Sequence, residues 1–419
     1  MKRHVMKRSP LLIIFITVFI DLIGFGIVIP VLPIYAASPR FHASPIAIGL
    51  LFASYSLMQL IFSPILGRLS DHYGRKPVLF FSLIGTGFAF LILGSATALW
   101  MLFVGRILDG ITGGNISTAQ AYIADVTTPE ERAKGMGLIG AAFGLGFIFG
   151  PAIGGVLSRW GTSVPFLFAA ALAFANAALL YFLLPETVGR KTTPQRAARG
   201  GWRQLTEYLR RPSLALALAT YFLFITSFSI LTTTFALYTM YRFGFDAQHN
   251  GYLFAFTGAL GVIVQGALLG RAVKAVGEPA LVIIGEALFA ASMFFIPLVG
   301  PQHGGLEALL LVLSVQAIGN ALVMPTLNSL TSKAARADEQ GAVLGVAQSV
   351  ASLARVVGPI IGSWLLYSAT APQQMDDHSL RLTYWGGAVI TTFGLLLALR
   401  LSRIFAVEKE RAEALTTNW

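Results

Sequence analysis

Cysteine is absent from this 419-residue chain, and charged residues make up only 12% of it. Without cysteine the chain can form neither a structural disulfide nor a thiolate metal site. It also has no Walker loop, so ATP is not the expected energy source. No nucleophile–base pair and no metal-ligand cluster stands out in the sequence. We therefore expect no enzyme activity, no cofactor and no metal.

Apolar sequence is abundant instead. Apolar residues make up 55% of the chain, and the mean hydropathy of +0.72 lies far above that of soluble domains. Because a helix of roughly 20 apolar residues crosses ~30 Å of hydrocarbon, we predict an all-α membrane protein with twelve transmembrane helices. The apolar runs are 10–36, 45–66, 78–98, 99–124, 136–158, 164–184, 213–241, 249–270, 279–299, 306–330, 340–369 and 383–402.

The positive charge is distributed unevenly along the chain. The formal net charge is +11, which would suit a nucleic-acid partner if the basic residues were clustered. All but six of the 30 Lys and Arg residues fall instead in alternate loops and in the two tails. Since such loops stay on the cytoplasmic side, we predict cytoplasmic termini. The expected partner of the charge is the lipid bilayer, and no nucleic acid is expected.

One charged motif lies between the second and third apolar runs. Residues 67–77 read G-R-L-S-D-H-Y-G-R-K-P, which resembles the loop between helices 2 and 3 of the major facilitator superfamily of transporters. The resemblance implies an inner gate built from Gly67, Asp71, Gly74 and Arg75. It also implies that Arg75 pairs with Asp125 at the end of the fourth run. One departure is the histidine at position 72, where many relatives carry arginine.

The fifth run carries a glycine stripe. Gly146, Gly150 and Gly154 recur every four residues, and such stripes let helix backbones approach closely in lipid. Pro151 removes a backbone donor and permits a kink. The string is similar to the motif associated with antiporters of the same superfamily, although a packing helix without that meaning also fits. We predict a hinge and packing role for these residues.

Both motifs recur in the second half of the chain. The two glycines of the 67–77 motif reappear 203 residues later as Gly270 and Gly277. The fifth-run pattern reappears 208 residues later and includes Gly358 and Pro359, which we assign the same hinge role. This duplication matches the superfamily's repeat of two six-helix bundles. The predicted domains are an N-terminal bundle at 1–184, a cytoplasmic linker at 185–212 and a C-terminal bundle at 213–419.

Four charged residues inside apolar runs are candidates for proton coupling. Asp21 lies in D-x-x-G-x-G-x-x-x-P-x-x-P, which looks like the first helix of the tetracycline-efflux-like branch of the drug:proton antiporters. Glu286 is the only acid in the ninth run. Arg106 and Asp109 are three residues apart and can pair on one helix face. Because intramembrane acids often relay protons, we predict a coupling role, although a structural acid or ion pair also fits.

Substrate-binding residues follow from the family's cavity-lining helices. Aromatic walls with a few amides suit a lipophilic substrate, although the same aromatics could simply pack against neighbours. The candidates are Asn115, Gln120, Phe228, Phe235, Tyr238, Gln316 and Asn320.

The resemblance implies a proton-coupled exporter of a lipophilic small molecule, with tetracycline as a family-level example. The expected location is a bacterial inner membrane, and the expected state is a monomer. Two other functions stay open at this point. One is a proton symporter that takes up a sugar or an organic acid, and the other is a non-transporting membrane sensor or scaffold.

Overall fold

The computed structural model describes residues 10–128, 131–187, 207–336, 339–367 and 375–417. These residues are almost entirely helical and include no β-strand. The helices are α1 (Pro10–Ala37), α2 (Pro45–Tyr73), α3 (Arg75–Gly94), α4 (Leu99–Thr112), α5 (Asn115–Val126), α6 (Arg132–Leu157), α7 (Val164–Leu183), α8 (Pro212–Phe243), α9 (Ala247–Ile263), α10 (Leu269–Val276), α11 (Glu278–Phe295), α12 (Gly305–Lys333), α13 (Gln340–Leu366) and α14 (Asp377–Thr417). A π-helical turn, Val264–Leu268, joins α9 to α10.

Eleven segments of the described chain are long and apolar enough to cross a membrane. The remaining predicted span, 99–124, is divided into α4 and α5 at Gly113 and Gly114, so the prediction of one continuous helix there was wrong. The break lies against α2, where a Cβ added at Gly114 would stand 2.9 Å from the Cα of Ser63. Together α4 and α5 provide the twelfth span.

The 67–77 motif is more helical than the sequence suggested. We predicted a charged loop, but residues 67–73 continue α2 and only Gly74 leaves the helix before α3 begins. Gly74 has φ 103°, and Gly277 has φ 81° at the corresponding point between α10 and α11. Such angles strain residues that carry a side chain. A single glycine therefore makes the turn in each copy of the motif.

The described residues fall into two units. Unit 1 lies within 1–43, 54–195 and 245–255, and unit 2 lies within 44–53, 196–244 and 256–419. The predicted domain boundaries stay a prediction, and most of the predicted linker lies outside the described residues.

The two units repeat one packing order. In unit 1, α1 packs on α6 and α7, while α3 packs on α4 and α7. In unit 2, α8 packs on α13 and α14, while α11 packs on α12 and α14. This correspondence is what a duplicated six-helix unit predicts.

Candidate functional site

The glycine stripe of α6 lies directly on α1. A Cβ added at Gly150 would stand 2.6 Å from the Cα of Gly26, and one added at Gly146 would stand 2.7 Å from the Cβ of Leu22. Gly154 is similarly close to Ile27, at 3.1 Å from its Cα. The two helices therefore touch through their backbones over two turns. The hinge role assigned to this stripe, including Pro151, stays a prediction.

The corresponding glycine of unit 2 makes the same kind of contact. A Cβ at Gly358 would stand 2.5 Å from the backbone oxygen of Thr226 on α8. Pro359 follows it inside α13. The close helix approach is therefore present in both copies of the repeat.

A buried ion pair occupies the middle of unit 1. Arg106 and Asp109 lie on one face of α4, with 2.7 Å between Nη1 and Oδ2, and they are 0% and 5% exposed. The Arg106 guanidinium also stands over the ring of Tyr55, 4.1 Å from its centroid, which adds a cation–π contact. Gln59, one turn along α2, donates to the Tyr55 hydroxyl and to the Gly113 carbonyl, both at 3.1 Å.

Asp21 faces this polar cluster from α1. The side chain of Asn115, the first residue of α5, is placed to hydrogen-bond its carboxylate. A small cavity separates Asp21 from Asp109, with space for about one water molecule. Its wall consists of Asp21, Phe25, Tyr55, Thr86, Phe90, Asp109 and Gly113. Two carboxylates therefore line one small cavity, and Arg106 lies next to one of them as the ion-pair partner of Asp109.

A second charged cluster forms at the end of α2. Arg75 pairs with Asp71 at 2.5 Å and with Asp125 at 3.0 Å, and its Nη1 donates to Ser70 at 2.7 Å. The Arg75 side chain is 11% exposed, whereas that of Asp71 is 60% exposed. The structure thus brings together the predicted partners Arg75 and Asp125. Gly67, one turn before Asp71, makes only a loose contact with α5.

Glu186 completes this cluster from the segment after α7. Its two carboxylate oxygens accept the backbone N–H groups of Arg75 and Lys76, each at 3.0 Å. These groups begin α3 and have no partner inside the helix. Thr187 donates to Asp125 at 3.2 Å. The Pro-Glu-Thr segment therefore holds the start of α3 in place, which sequence reasoning had not foreseen.

The predicted residues of unit 2 lie in different surroundings. Phe235 is 2% exposed, and the Tyr238 hydroxyl donates to the carbonyls of Ile296 and Val299 at 2.8 and 2.9 Å. Phe228 is only partly buried and packs near the ring of Phe289. The described contacts of Phe235 and Tyr238 are those of core residues.

The predicted amides of unit 2 are largely enclosed, since Gln316 is 5% exposed and Asn320 is partly buried. Gln316 and Asn320 stand one turn apart on α12, and Asn320 Oδ1 has no hydrogen-bond partner among the described residues. Gln120 on α5 is exposed.

Glu286 is isolated within unit 2. It is 0% exposed, and neither carboxylate oxygen has a hydrogen-bond partner among the described residues. A Cβ added at Gly394 of α14 would lie 3.2 Å from both oxygens. The structure therefore buries this acid between helices of unit 2, against α14.

Comparison with known proteins adds the family. A model of the Major Facilitator Superfamily matches residues 14–359 and 267–418. The chain belongs to the Major Facilitator Superfamily. It is a multi-pass membrane transporter, and the predicted twelve-helix major facilitator fold is confirmed.

Its relatives within the superfamily include drug-resistance proteins. The chain is 31% identical to the class H tetracycline resistance protein of Pasteurella multocida, covering 94% of this chain and 95% of the relative. It is 30% identical to multidrug resistance protein 2 of Bacillus subtilis (strain 168), covering 99% and 100%. The solved human organic anion transporter MFSD10 (TETRAN) is 25% identical, with a TM-score of 0.67 over 94% of this chain and 99% of the other.

Several site residues of this transporter were missed at first. Tyr55 and Gln59 are polar residues one turn apart in an otherwise apolar run, a spacing that could have marked them as partners of a buried charge. Glu186 follows a proline just after an apolar run, where an acid is free to cap another helix. Neither the spacing of Tyr55 and Gln59 nor the position of Glu186 predicts which helix these side chains contact in the fold.

Proposed function

We propose that this transporter exports a lipophilic small molecule in exchange for protons by alternating access. The observation that carries the proposal is the polar cavity of unit 1, where Asp21 faces Asp109 across space for about one water. Acids at membrane depth are costly and mark proton relays. A cavity that admits water gives such an acid a proton donor and acceptor.

The contacts of Asp21 suit reversible proton binding. Asn115 is placed as a neutral hydrogen-bond partner, and no arginine or lysine pairs with Asp21 among the described residues. Asp109 already pairs with Arg106. Of the two acids on this cavity, Asp21 is therefore the one placed to take up and release a proton. Asp109 and Arg106 would stay ionised as a pair and keep a fixed charge arrangement next to Asp21.

The packing of α1 suits movement. Because α1 touches α6 through glycines, the two helices can shift without unlocking interleaved side chains. Asp21 lies one turn before the closest part of this contact, which involves Gly26 and Gly150. We infer that a change at Asp21 is transmitted to the α1–α6 contact.

The charged cluster at the end of α2 is the proposed inner gate. Arg75 holds Asp71 and Asp125 together, and Gly74 and Glu186 fix the turn into α3. Breaking these contacts would release the ends of α2, α3 and α5 from one another. Gly67, one turn before Asp71 on α2, is not tightly packed, since a Cβ added there would meet only Ser117 Oγ of α5, at 3.8 Å.

The substrate-binding assignments stay candidates within each unit. Asn115 and Gln120 belong to unit 1, and Phe228, Gln316 and Asn320 belong to unit 2. Amides and aromatic rings favour a lipophilic substrate with few polar groups. The names of the tetracycline and multidrug resistance relatives support the same chemical class. Phe235 and Tyr238 are buried in the core of unit 2, so they would support the substrate-binding residues without touching the substrate.

The membrane potential supplies sufficient energy for this exchange. One proton crossing about 100 mV releases about 2.3 kcal/mol, enough for a gradient of roughly 50-fold. We propose a monomer in a bacterial inner membrane with cytoplasmic termini, acting as a transporter and not as an enzyme. Bacterial relatives and the charge distribution of the loops support this location.

Proteoliposomes with an internal pH-sensitive dye would test the proposal. Addition of tetracycline, or of a lipophilic cation from a drug panel, should start proton flux that empty liposomes lack. A protonophore should abolish substrate accumulation. Accumulation that is unchanged by the protonophore would rule out proton coupling. A sugar or organic acid that moves together with protons would favour uptake instead.

A further inference from the structure

We infer that Glu278 and Lys333 form a positioning ion pair in unit 2, a charge-inverted copy of the Arg75–Asp125 pair in unit 1. The inference rests on the transport function. The pair would fix the start of α11 against the end of α12, the helix that carries Gln316.

The repeat assigns these residues to one another. Glu278 stands 203 residues after Arg75, the offset that relates the glycines of the two motifs. Lys333 stands 208 residues after Asp125, the offset that relates the glycine stripes. Each charge is reversed between the two copies. The same reversal occurs between Asp71 and Lys274, which are also 203 residues apart.

The contacts correspond as well. Lys333 Nζ lies 2.7 Å from Glu278 Oε2, and Ser329 Oγ donates to Glu278 Oε1 at 2.8 Å. In both pairs the residue just after the positive-φ glycine is the buried member. The side chains of Arg75 and Glu278 are 11% and 13% exposed, whereas their partners are 32% and 60% exposed. Both pairs join the first residue of one helix to the last turn of another.

The helix dipole explains why the reversed pair needs fewer partners. Negative charge is favoured at a helix N-terminus and positive charge at a C-terminus. Glu278 in the first turn of α11 and Lys333 in the last turn of α12 both satisfy this preference. Arg75 and Asp125 both oppose it, since they lie at the start of α3 and near the end of α5.

The extra contacts of unit 1 follow from this difference. Glu186 supplies the negative charge that the start of α3 lacks, by accepting its first two N–H groups. In α11 the second residue is Pro279, which has no N–H to satisfy. The pair in unit 2 therefore holds its two helices with one ion pair and one serine.

A double-mutant cycle in substrate exchange would test the positioning role. Glu278→Gln and Lys333→Gln, alone and together, would be reconstituted and assayed for counterflow without a pH gradient. Each single variant should slow exchange about fivefold, and the double variant should be no slower than either one. Lys333→Arg should keep the wild-type rate because it keeps the charge and the reach.

Two matched controls separate this pair from a general charge effect. Lys274→Gln removes an exposed lysine that makes no ion pair within the described part of unit 2, and Glu307→Gln removes an exposed first-turn acid of α12. Both should exchange at the wild-type rate. Wild-type exchange by Glu278→Gln, or single effects that add in the double variant, would overturn the inference. Exchange by the wild-type protein without proton flux would refute the proposed coupling while leaving this test intact.

Discussion

Unit 1 and unit 2 repeat one helix packing but surround their buried acids differently. In unit 1, Asp109 forms an ion pair with Arg106 at 2.7 Å, and Asn115 is placed to hydrogen-bond Asp21. Both acids line a small cavity. In unit 2, Glu286 is fully buried without a hydrogen-bond partner among the described residues. The glycine contacts that hold the helices together occur in both units. The two units thus share the helix packing and the glycine contacts, while the surroundings of their buried acids differ.

The largest expected effect is a difference in stability between variants of the ion-paired acid Asp109 and variants of the buried acid Glu286. Asp109→Leu should lower the free energy of unfolding by about 3–5 kcal/mol, because it takes the carboxylate away from a buried arginine. Glu286→Leu removes an acid that has no such partner, so stability should stay unchanged or rise. Thermal melting of the purified variants in detergent measures both.

Asp109→Asn is the control for this comparison, since it keeps an oxygen acceptor for Arg106 and should fall between wild type and Asp109→Leu. Equal losses of stability in Asp109→Leu and Glu286→Leu would contradict the difference between the units.

A smaller effect is expected where the units agree. Gly150→Leu and Gly358→Leu should each cost about 1–3 kcal/mol through overpacking, and both should lose transport. Gly137→Leu is the matched control on α6, since a Cβ there meets nothing within 4 Å. Transport at the wild-type rate by Gly150→Leu would refute the close-contact account, as would an equal loss in Gly137→Leu.

The smallest effect concerns an ion pair at the start of α13 in unit 2. Hydrogen bonds from the Arg211 guanidinium lower the pKa of Glu339, with Arg211 Nη1 at 2.5 Å and Nη2 at 3.1 Å from its carboxylate oxygens. A lowered folded-state pKa stabilises the fold above the unfolded value of about 4.3. That stability disappears as the pH falls through the folded-state pKa.

Glu339→Gln should therefore melt slightly below wild type at about pH 7, and the gap should close towards about pH 3. Glu307→Gln, which removes an exposed acid of α12, is the control and should melt with the wild type at about pH 7. A gap for Glu339→Gln that stays constant over this pH range would contradict the contribution assigned to the pair.

The fold could be predicted largely because it depends on local patterns. Apolar runs give the spans, and the spacing of Gly146, Gly150 and Gly154 predicts a close helix contact. The break at Gly113 and Gly114 was missed because a hydropathy pattern does not register glycine inside an apolar run. Its cause is a neighbouring helix, and one sequence does not say which helices touch.

The site was only partly predictable for the same reason. Asp21, Arg106 and Asp109 stand out as charges inside apolar runs. Tyr55 and Glu186 acquire their roles only when α2 and the segment after α7 reach the other helices. Tyr238 shows the converse, since its expected place on a substrate wall gave no hint that its hydroxyl binds two backbone carbonyls.

The central claim is that unit 1 holds the acid that exchanges protons against substrate. Proton flux in proteoliposomes should be measured for Asp21→Asn, for Glu286→Gln at the buried acid of unit 2, and for Glu307→Gln as an exposed control. The account predicts that Asp21→Asn loses substrate-dependent proton flux but keeps downhill substrate exchange, while Glu307→Gln behaves as wild type. Wild-type proton flux in Asp21→Asn, with loss in Glu286→Gln, would contradict it and move the coupling acid to unit 2.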